Sequence, residues 1–272
     1  MVQIMNTGTN IVKAIVAVEP KFNALIDKSA AGQMTFAKEA SFARQAFESN
    51  HHLANAIRND VKGFQDALCN VANMGLSLNP SLGYAYLVPR KGKICLDPSY
   101  KGLVKIAVKN GFIRHAMGDI VKEGDHFIYK GMYDMPEHDI ADIFAINPSR
   151  SQKKTVGAYC VAKMPDGSFM THVMDLAEIE KRKALSMNKG EHSIWNKWYD
   201  QMCIKTVIKY ASKSWISNSG IELEEKFNEI FSDDFSEEKN KIKNNDAQNF
   251  IEGTSDGGDQ YIEFQLEEIE ES

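Results

Sequence analysis

The 272-residue sequence has no apolar run long enough to cross a bilayer. An apolar patch from Ile11 to Val18 is interrupted by Lys13 and followed by Glu19 and Pro20, and no small-residue cleavage site comes after it. These absences predict a cytoplasmic chain with no membrane partner. Cysteine is sparse: Cys69, Cys95, Cys160 and Cys203 lie far apart, and none forms a C-x-x-C pair. That spacing argues against a zinc site and against a disulfide framework, and predicts four reduced thiols used as core filler. Motifs of nucleotide-driven and hydrolytic chemistry are missing too. There is no G-x-x-x-x-G-K-[ST] phosphate loop, no H-E-x-x-H and no G-x-S-x-G. The seven histidines are dispersed, His51-His52 being their one adjacent pair. No catalytic residue, metal ligand or cofactor is expected, with Mg²⁺ a modulator at most. One enzymatic alternative stays open. Asp119, Glu123, Asp125, Asp139 and Asp142 are carboxylates of the kind that hold Mg²⁺ for phosphodiester hydrolysis. Pro165-Asp166 matches the start of a nuclease signature, but Glu180 is followed by Lys181-Arg182 rather than by the required spaced lysine.

What the sequence does have is a division of charge. Residues 221–272 carry 17 acidic and 4 basic side chains, a balance of −13; residues 1–220 carry 28 basic and 20 acidic, a balance of +8. A basic body with an acidic tail suits nucleic-acid binding, and equally suits a solvated body with a disordered tail. The 43% apolar content and the length support one main folded body.

Periodicity predicts helices over Thr35–Glu48 and Leu53–Asn73, the second closed by Gly75 and Pro80. Tyr84–Val88 and Ile94–Leu96 read as strands around a Pro89–Lys93 turn. Tyr100–Asn110 reads as a helix with Tyr100, Leu103, Val104, Ala107 and Val108 inward. Ile113–Val121 and His126–Tyr129 read as strands, and Lys130–Ser151 as a loop. Val156–Lys163 and Ser168–Met174 form a hairpin across Pro165-Asp166-Gly167. Helices are expected over Leu176–Met187 and, unbroken, Ile194–Trp215. Strands in hairpins with helices before and after give an α+β class: a small antiparallel sheet of hairpins packed with helices, followed by a disordered acidic C-terminal tail.

Two rows of cations stand out. Lys101, Lys105 and Lys109 recur every four residues opposite the apolar stripe, so successive ammonium groups are roughly 6 Å apart along the axis, close to the phosphate spacing of a nucleic-acid strand. Arg90, Lys91 and Lys93 sit in the neighbouring turn. Lys205, Lys209 and Lys213 form the second row, along the edge of a face bearing Trp195, Trp198, Tyr199, Met202 and Thr206. Aromatics beside cations suit single strands, whose bases stack while phosphates pair. The plainer reading is a solvated lysine face and an aromatic core stripe, with Trp195 and Tyr199 in the core. Lys153-Lys154 and Lys181-Arg182-Lys183 read as ordinary surface.

The order of motifs goes further. Met74-Gly75-Leu76-Ser77-Leu78-Asn79-Pro80, Gly83-Tyr84-Ala85-Tyr86-Leu87-Val88-Pro89 and Tyr100-Lys101-Gly102-Leu103 resemble the signature of RecT-type single-strand annealing proteins. So do Glu123-Gly124-Asp125 with Phe127, Val156-Gly157-Ala158-Tyr159 leading to Asp166-Gly167, and Ala177-Glu178-Ile179-Glu180. Trp195 with Asp200, Met202, Lys205 and Thr206, ahead of Lys213, completes the set, over roughly residues 35 to 218. Two departures are Arg90 after Val88-Pro89, where the family often has an aromatic residue, and Pro98-Ser99 before Tyr100, where it often has glycine.

The resemblance implies a phage or prophage recombinase working in the cytoplasm of a bacterial host. Such proteins bind single-stranded DNA and anneal complementary strands without ATP, passing through an annealed duplex intermediate. They act as a homo-oligomer, a ring or helical filament, beside a phage exonuclease or a host single-strand binding protein. It places a DNA-binding role on Lys101 and Lys205, and more loosely on Lys91, Lys93, Lys105, Lys209 and Lys213, to which the turn and helix patterns add Arg90 and Lys109. Together with the weak patterning before residue 35 and the polar, charged composition beyond Asp233, it gives an expected division into an N-terminal arm for contacts between copies (1–34), an annealing core (35–232) and an acidic, disordered tail or partner-binding segment (233–272). Tyr261, Ile262, Phe264, Leu266 and Ile269 in the tail suit a partner, a competitor of DNA for the basic surface, or plain solvation. A non-annealing protein that only protects single strands is the remaining alternative.

Overall fold

The computed structural model describes residues 11–26, 34–90, 92–140, 149–186, 190–191 and 193–217. The predicted tail at 233–272, Lys91 and Asp142 lie outside these residues. In chain order the elements are α1 (Glu19–Leu25), α2 (Phe36–Ser49), α3 (His51–Ala56), α4 (Val61–Met74), β1 (Ala85–Arg90), β2 (Lys93–Pro98) and α5 (Tyr100–Lys109). There follow β3 (His115–Lys122), β4 (His126–Ile128), β5 (Glu137–Asp139), β6 (Thr155–Lys163), β7 (Phe169–Asp175), α6 (Leu176–Ala184), α7 (Ile194–Lys197) and α8 (Tyr199–Ser217). All strand pairings are antiparallel: β1 with β2, β4 with β5, and a three-stranded sheet in the order β3-β6-β7. The class is α+β.

Capping chemistry explains where the predicted second helix divides. The Asn50 side chain accepts from the backbone N–H groups of His52 and Leu53 and starts α3. Asp60 then starts α4, its Oδ1 accepting from Gly63 N at 3.0 Å. The same carboxylate accepts from Ile94 N at 2.7 Å, so one residue caps α4 and ties it to β2. Gly75 ends α4 in the left-handed region (φ 65°), with Leu76 N bonded to Val71 O and Gly75 N to Ala72 O, a Schellman stop. The expected cap at Gly75 is therefore present.

Two apolar cores meet at α5. The first gathers Phe22, Phe47, Leu53, Phe64, Leu68 and Leu76 under the inner face of the β1–β2 hairpin, from which Leu87 and Leu96 point down. Edge-on ring contacts, Phe22–Phe36 at 5.4 Å and Phe47–Phe64 at 5.1 Å, fix its geometry. Phe22, completely buried, shows that the described part of segment 1–34 packs into this core. The second core lies between one face of the β3-β6-β7 sheet and α8, joining Ile120, Cys160 and Met174 to Cys203, Val207 and Trp215. On α5, Ile106 faces the first core and Ala107 the second. This corrects the predicted stripe: Val108 is exposed and Ile106 is buried, because the helix is covered on two sides rather than one.

Other corrections are local. The β1–β2 hairpin closes in a two-residue turn rather than five, with Arg90 opposite Lys93 and Gly92 at φ 79°. Segment 130–151 contains β5, which pairs with β4. The β6–β7 hairpin turns at Pro165-Asp166-Gly167 as expected, Met164 N bonding to Ser168 O.

Candidate nucleic-acid interface

α5 begins where the chain doubles back tightly on itself. Ser99 caps it, Oγ accepting from Gly102 N at 3.2 Å while donating to Gly83 O at 2.6 Å. Ser99 N donates to Tyr84 O at 2.8 Å. The Tyr84 carbonyl leaves no room for a side chain at residue 102, since a Cβ there would sit 2.2 Å from Tyr84 O. Tyr100-Lys101-Gly102-Leu103 is thus a packing motif that holds the exposed Lys101 at the first turn of α5. The departure at Pro98-Ser99 has a physical role here: Pro98 ends β2 opposite Ala85, and Ser99 supplies the cap.

The α5 row does not present three equivalent cations. Lys105 is half-buried, its ammonium 4.2 Å from the centre of the Tyr84 ring. Burial depresses its pKa, as does Lys109, while nearby Glu39 acts in the opposite direction. Glu39, on α2, is buried and receives Ser77 Oγ at 2.7 Å and Leu78 N at 2.8 Å. Burial pushes its carboxyl above the usual range against the pull of those two hydrogen bonds, Lys105 and Lys38. Lys109 lays its ammonium over Gly75, 3.0 Å from where a Cβ would stand. Lys105 and Lys109 therefore brace the 74–80 turn, and Lys101 alone of the row stands clear of it.

In the hairpin turn, Arg90 is half-buried and pairs with Asp97 across β1–β2 at 3.1 Å. Lys93 is exposed. The hairpin, α5 and α8 are successive neighbours: β2 packs on α5, and α5 on α8. The hairpin cations and both lysine rows thus lie on contiguous elements. On α8, Lys205, Lys209 and Lys213 are each half-buried along the edge of the helix, whose inner face is Cys203, Val207, Ile208, Ala211 and Trp215. That helix crosses β3 closely, since a Cβ on Gly118 would meet Ile208 Cγ1 at 2.9 Å.

The predicted unbroken helix 194–215 is instead two. α7 ends at Lys197, Trp198 adopts a non-helical conformation (φ −134°, ψ 49°), and α8 starts at Tyr199. The break separates the aromatic residues. Trp195 is 5% exposed and joins the second core, whereas Trp198 is 60% exposed. Tyr199 is half-buried, donating to Glu180 Oε1 at 2.6 Å. Trp195 in the core and Tyr199 against α6 agree with the plainer reading of the stripe.

Three features were not visible as sites in the sequence. A register shift between Val121 and Lys122 turns Lys122 inward. Its ammonium meets Asp200 Oδ2 at 2.9 Å and Lys153 O at 3.0 Å, while Thr155 Oγ1 donates to Asp200 Oδ1 at 2.6 Å. On the far face of the sheet, the Asp125 carboxylate is enclosed by Arg150 Nη1 (2.6 Å to Oδ2), Lys122 N (2.8 Å) and His138 Nε2 (3.3 Å). His138 Nδ1 also contacts the Tyr159 hydroxyl at 3.1 Å. Glu123-Gly124-Asp125 is thereby a structural clasp, and Asp125 is committed to cations rather than open to a metal. Asp119 caps its own neighbour, Ile120 N. Among the described residues no three histidine, cysteine, aspartate or glutamate side chains are grouped to hold a metal ion. In the Lys181-Arg182-Lys183 cluster, Arg182 pairs with Glu178 and Lys183 with Glu180. The third feature is a cleft of about 590 Å³ at the N-terminal end of α8, lined in part by Lys154, Lys197 and Trp198. A strand position that breaks the apolar alternation, Lys122 after Ile120, was the one signal in the sequence for the first of these.

No helix among the described residues is long and apolar enough to cross a membrane. Compared with known proteins, the chain is 28% identical to Protein RecT of Escherichia coli (strain K12), over 57% of this chain and 58% of that protein. It is 26% identical to the uncharacterized protein YqaK of Bacillus subtilis (strain 168), over 53% of this chain and 48% of that protein. The chain thus spans about half the length of the curated relatives it matches. The sequence pattern of the RecT family fits residues 40–246, the greater part of the chain and all of the elements from α3 to α8. The chain belongs to the RecT family.

Proposed function

We propose that this protein binds single-stranded DNA and anneals complementary strands without ATP, as a homo-oligomer in phage recombination. The observation that carries the reading is family membership over residues 40–246. The structure adds physical support, with an exposed Lys101 and the α8 lysines on neighbouring helices. Annealing requires screening of the repulsion between two phosphate backbones, and cationic surfaces supply it by releasing counterions. Base pairing supplies the sequence specificity, so the protein needs no base-reading side chains. Multiple copies on one strand raise the local concentration of the partner.

In this reading Lys101, Lys93, Lys205, Lys209 and Lys213 contact phosphate. Arg90, Lys105 and Lys109 hold the hairpin and the 74–80 turn that shape the surface. The protein acts in the bacterial cytoplasm by binding rather than by bond cleavage, and the acidic 233–272 segment serves a partner exonuclease or host single-strand binding protein.

Two complementary fluorescent oligonucleotides, mixed with the full chain without ATP and Mg²⁺, test this reading. Pairing is expected to accelerate, and the acceleration to fade as salt rises. Binding without acceleration would leave a strand protector. Loss of substrate on adding Mg²⁺ would favour a nuclease. Absence of both binding and pairing would overturn the functional reading altogether.

A further inference from the structure

The cleft beside the start of α8 brings lysines and an exposed indole together, although no motif marks it. Its wall includes two carboxylates, and both are already engaged. Asp200 is held by Lys122 at 2.9 Å and Thr155 at 2.6 Å, and Glu180 by the Tyr199 hydroxyl at 2.6 Å and Lys183 at 3.1 Å. The cations Lys154 and Lys197 on the same wall are exposed, with no carboxylate within ion-pair distance among the described residues. The cleft therefore presents net positive charge to solvent.

At its rim stands Trp198. The four-residue α7 is pinned by Trp195 in the core and by Ser193, which caps it. The helix break then turns the next indole outward, leaving Trp198 60% exposed between Lys197 and the Tyr199–Gln201 turn. An indole fixed at such a break is a rigid apolar plate with cations beside it, the arrangement that stacks bases and neutralises their phosphates. The cleft is also continuous with the α8 row. Gln201 lines it, and Lys205, Lys209 and Lys213 follow Gln201 at four-residue intervals along one edge of the helix.

We propose that this cleft is a base-stacking subsite for single-stranded DNA, in which one unpaired base lies on the Trp198 indole and its flanking phosphates meet Lys154 and Lys197. The inference rests on the single-strand binding reading above and adds to it a base contact at one end of the α8 lysine row. A base clamped there is withheld from pairing while its neighbours on the lysine row stay exposed, so the subsite sets register along the strand.

Tryptophan emission of the full chain tests this directly. Of its three tryptophans, Trp195 and Trp215 are buried, so a change on DNA binding reports Trp198. Three ligands are compared: an oligo-dT, an abasic oligonucleotide of equal length, and free dTMP. Oligo-dT is expected to quench the emission, and the abasic strand to bind without quenching. Trp198→Leu is expected to weaken oligo-dT binding, measured by anisotropy, by about 5- to 150-fold. Trp198→Phe should restore most of the affinity while abolishing the quench. Lys154→Ala and Lys197→Ala should each reduce the salt dependence of binding by a slope of about 0.7. Thermal unfolding of each variant confirms that it is folded. If oligo-dT binds but neither emission nor Trp198→Leu affinity changes, the subsite is wrong and the functional reading stands. If dTMP quenches as tightly as oligo-dT, the cleft takes free nucleotides and the strand subsite is overturned. If no DNA binds at all, both readings fall.

Discussion

The ammonium of Lys122 lies 2.9 Å from Oδ2 of Asp200, and the lysine side chain is 5% exposed against 31% for the aspartate. This pair joins the end of β3 to the first turn of α8, and so fixes the wall of the Trp198 cleft. The buried partner is the cation. Removing Asp200 leaves it with only the Lys153 carbonyl and Thr155 hydroxyl. Asp200→Ala is expected to destabilise the protein by about 3 kcal/mol in urea unfolding. The double variant Lys122→Met/Asp200→Leu should recover much of that loss, because no buried charge remains. A double variant that loses the sum of both single changes would contradict this account.

Gly102 touches the Tyr84 carbonyl so closely that an alanine Cβ would sit 2.2 Å from the oxygen. Elsewhere in a helix, Gly→Ala is worth about 1 kcal/mol of stabilisation. Here the contact is with backbone, which cannot step aside as a flexible side chain does. Gly102→Ala is expected to cost about 2 kcal/mol net, measured by chemical denaturation. A neutral or stabilising result would mean that α5 can shift away from the hairpin.

Lys101 and Lys105 separate binding from stability although one turn apart. Lys101 is exposed, so Lys101→Ala should leave stability within about 0.5 kcal/mol and reduce the salt slope of single-strand binding by about 0.7. Lys105 sits over Tyr84 near buried Glu39. Lys105→Ala should lower stability by about 1 kcal/mol. Equal effects of the two changes on stability would show that Lys105 is as free as Lys101.

Asp125 and Glu39 respond to pH with opposite signs. Burial pushes the Asp125 carboxyl up, but hydrogen bonds from Arg150, Lys122 N and His138 and the charge of Arg150 outweigh it, so its pKa falls below 3.8. The stability it contributes is present above that ordinary value and is lost as pH falls through the folded one. Glu39 is raised above 4.5, with burial the largest cause. Its contribution is present below the ordinary value and lost as pH rises through the folded one. In unfolding measured from about pH 3 to about pH 7, the deficit of Asp125→Asn should shrink towards the acid end. Glu39→Gln should gain on the wild type as pH rises. Parallel profiles for the two variants would contradict these environments.

By itself, the sequence determined the class and most of the elements, because helix stops, turns and strand alternation are short-range signals. Gly75 forms the stop of α4, Asp166-Gly167 turns the β6–β7 hairpin, and the motif order carries the family. Residues 58–60 and Trp198 broke two predicted helices. The first break is set by Asp60, which reaches across to Ile94 N, and the second by Trp195, anchored in the core. Neither contact is visible in local periodicity.

Only the tertiary structure decided which cations face solvent. Lys101, Lys105 and Lys109 are equivalent in spacing, yet only Lys105 is half-buried, against Tyr84 and near Glu39, while exposed Lys109 lies over Gly75, because α5 is packed between two cores. Both look like surface charges in the sequence, but Lys122 is buried against Asp200, and Arg150 is half-buried against the Asp125 carboxylate. A charge's availability depends on the carboxylates and apolar walls that folding brings to it, and for Arg150 and Lys122 the carboxylates lie 25 and 78 residues away.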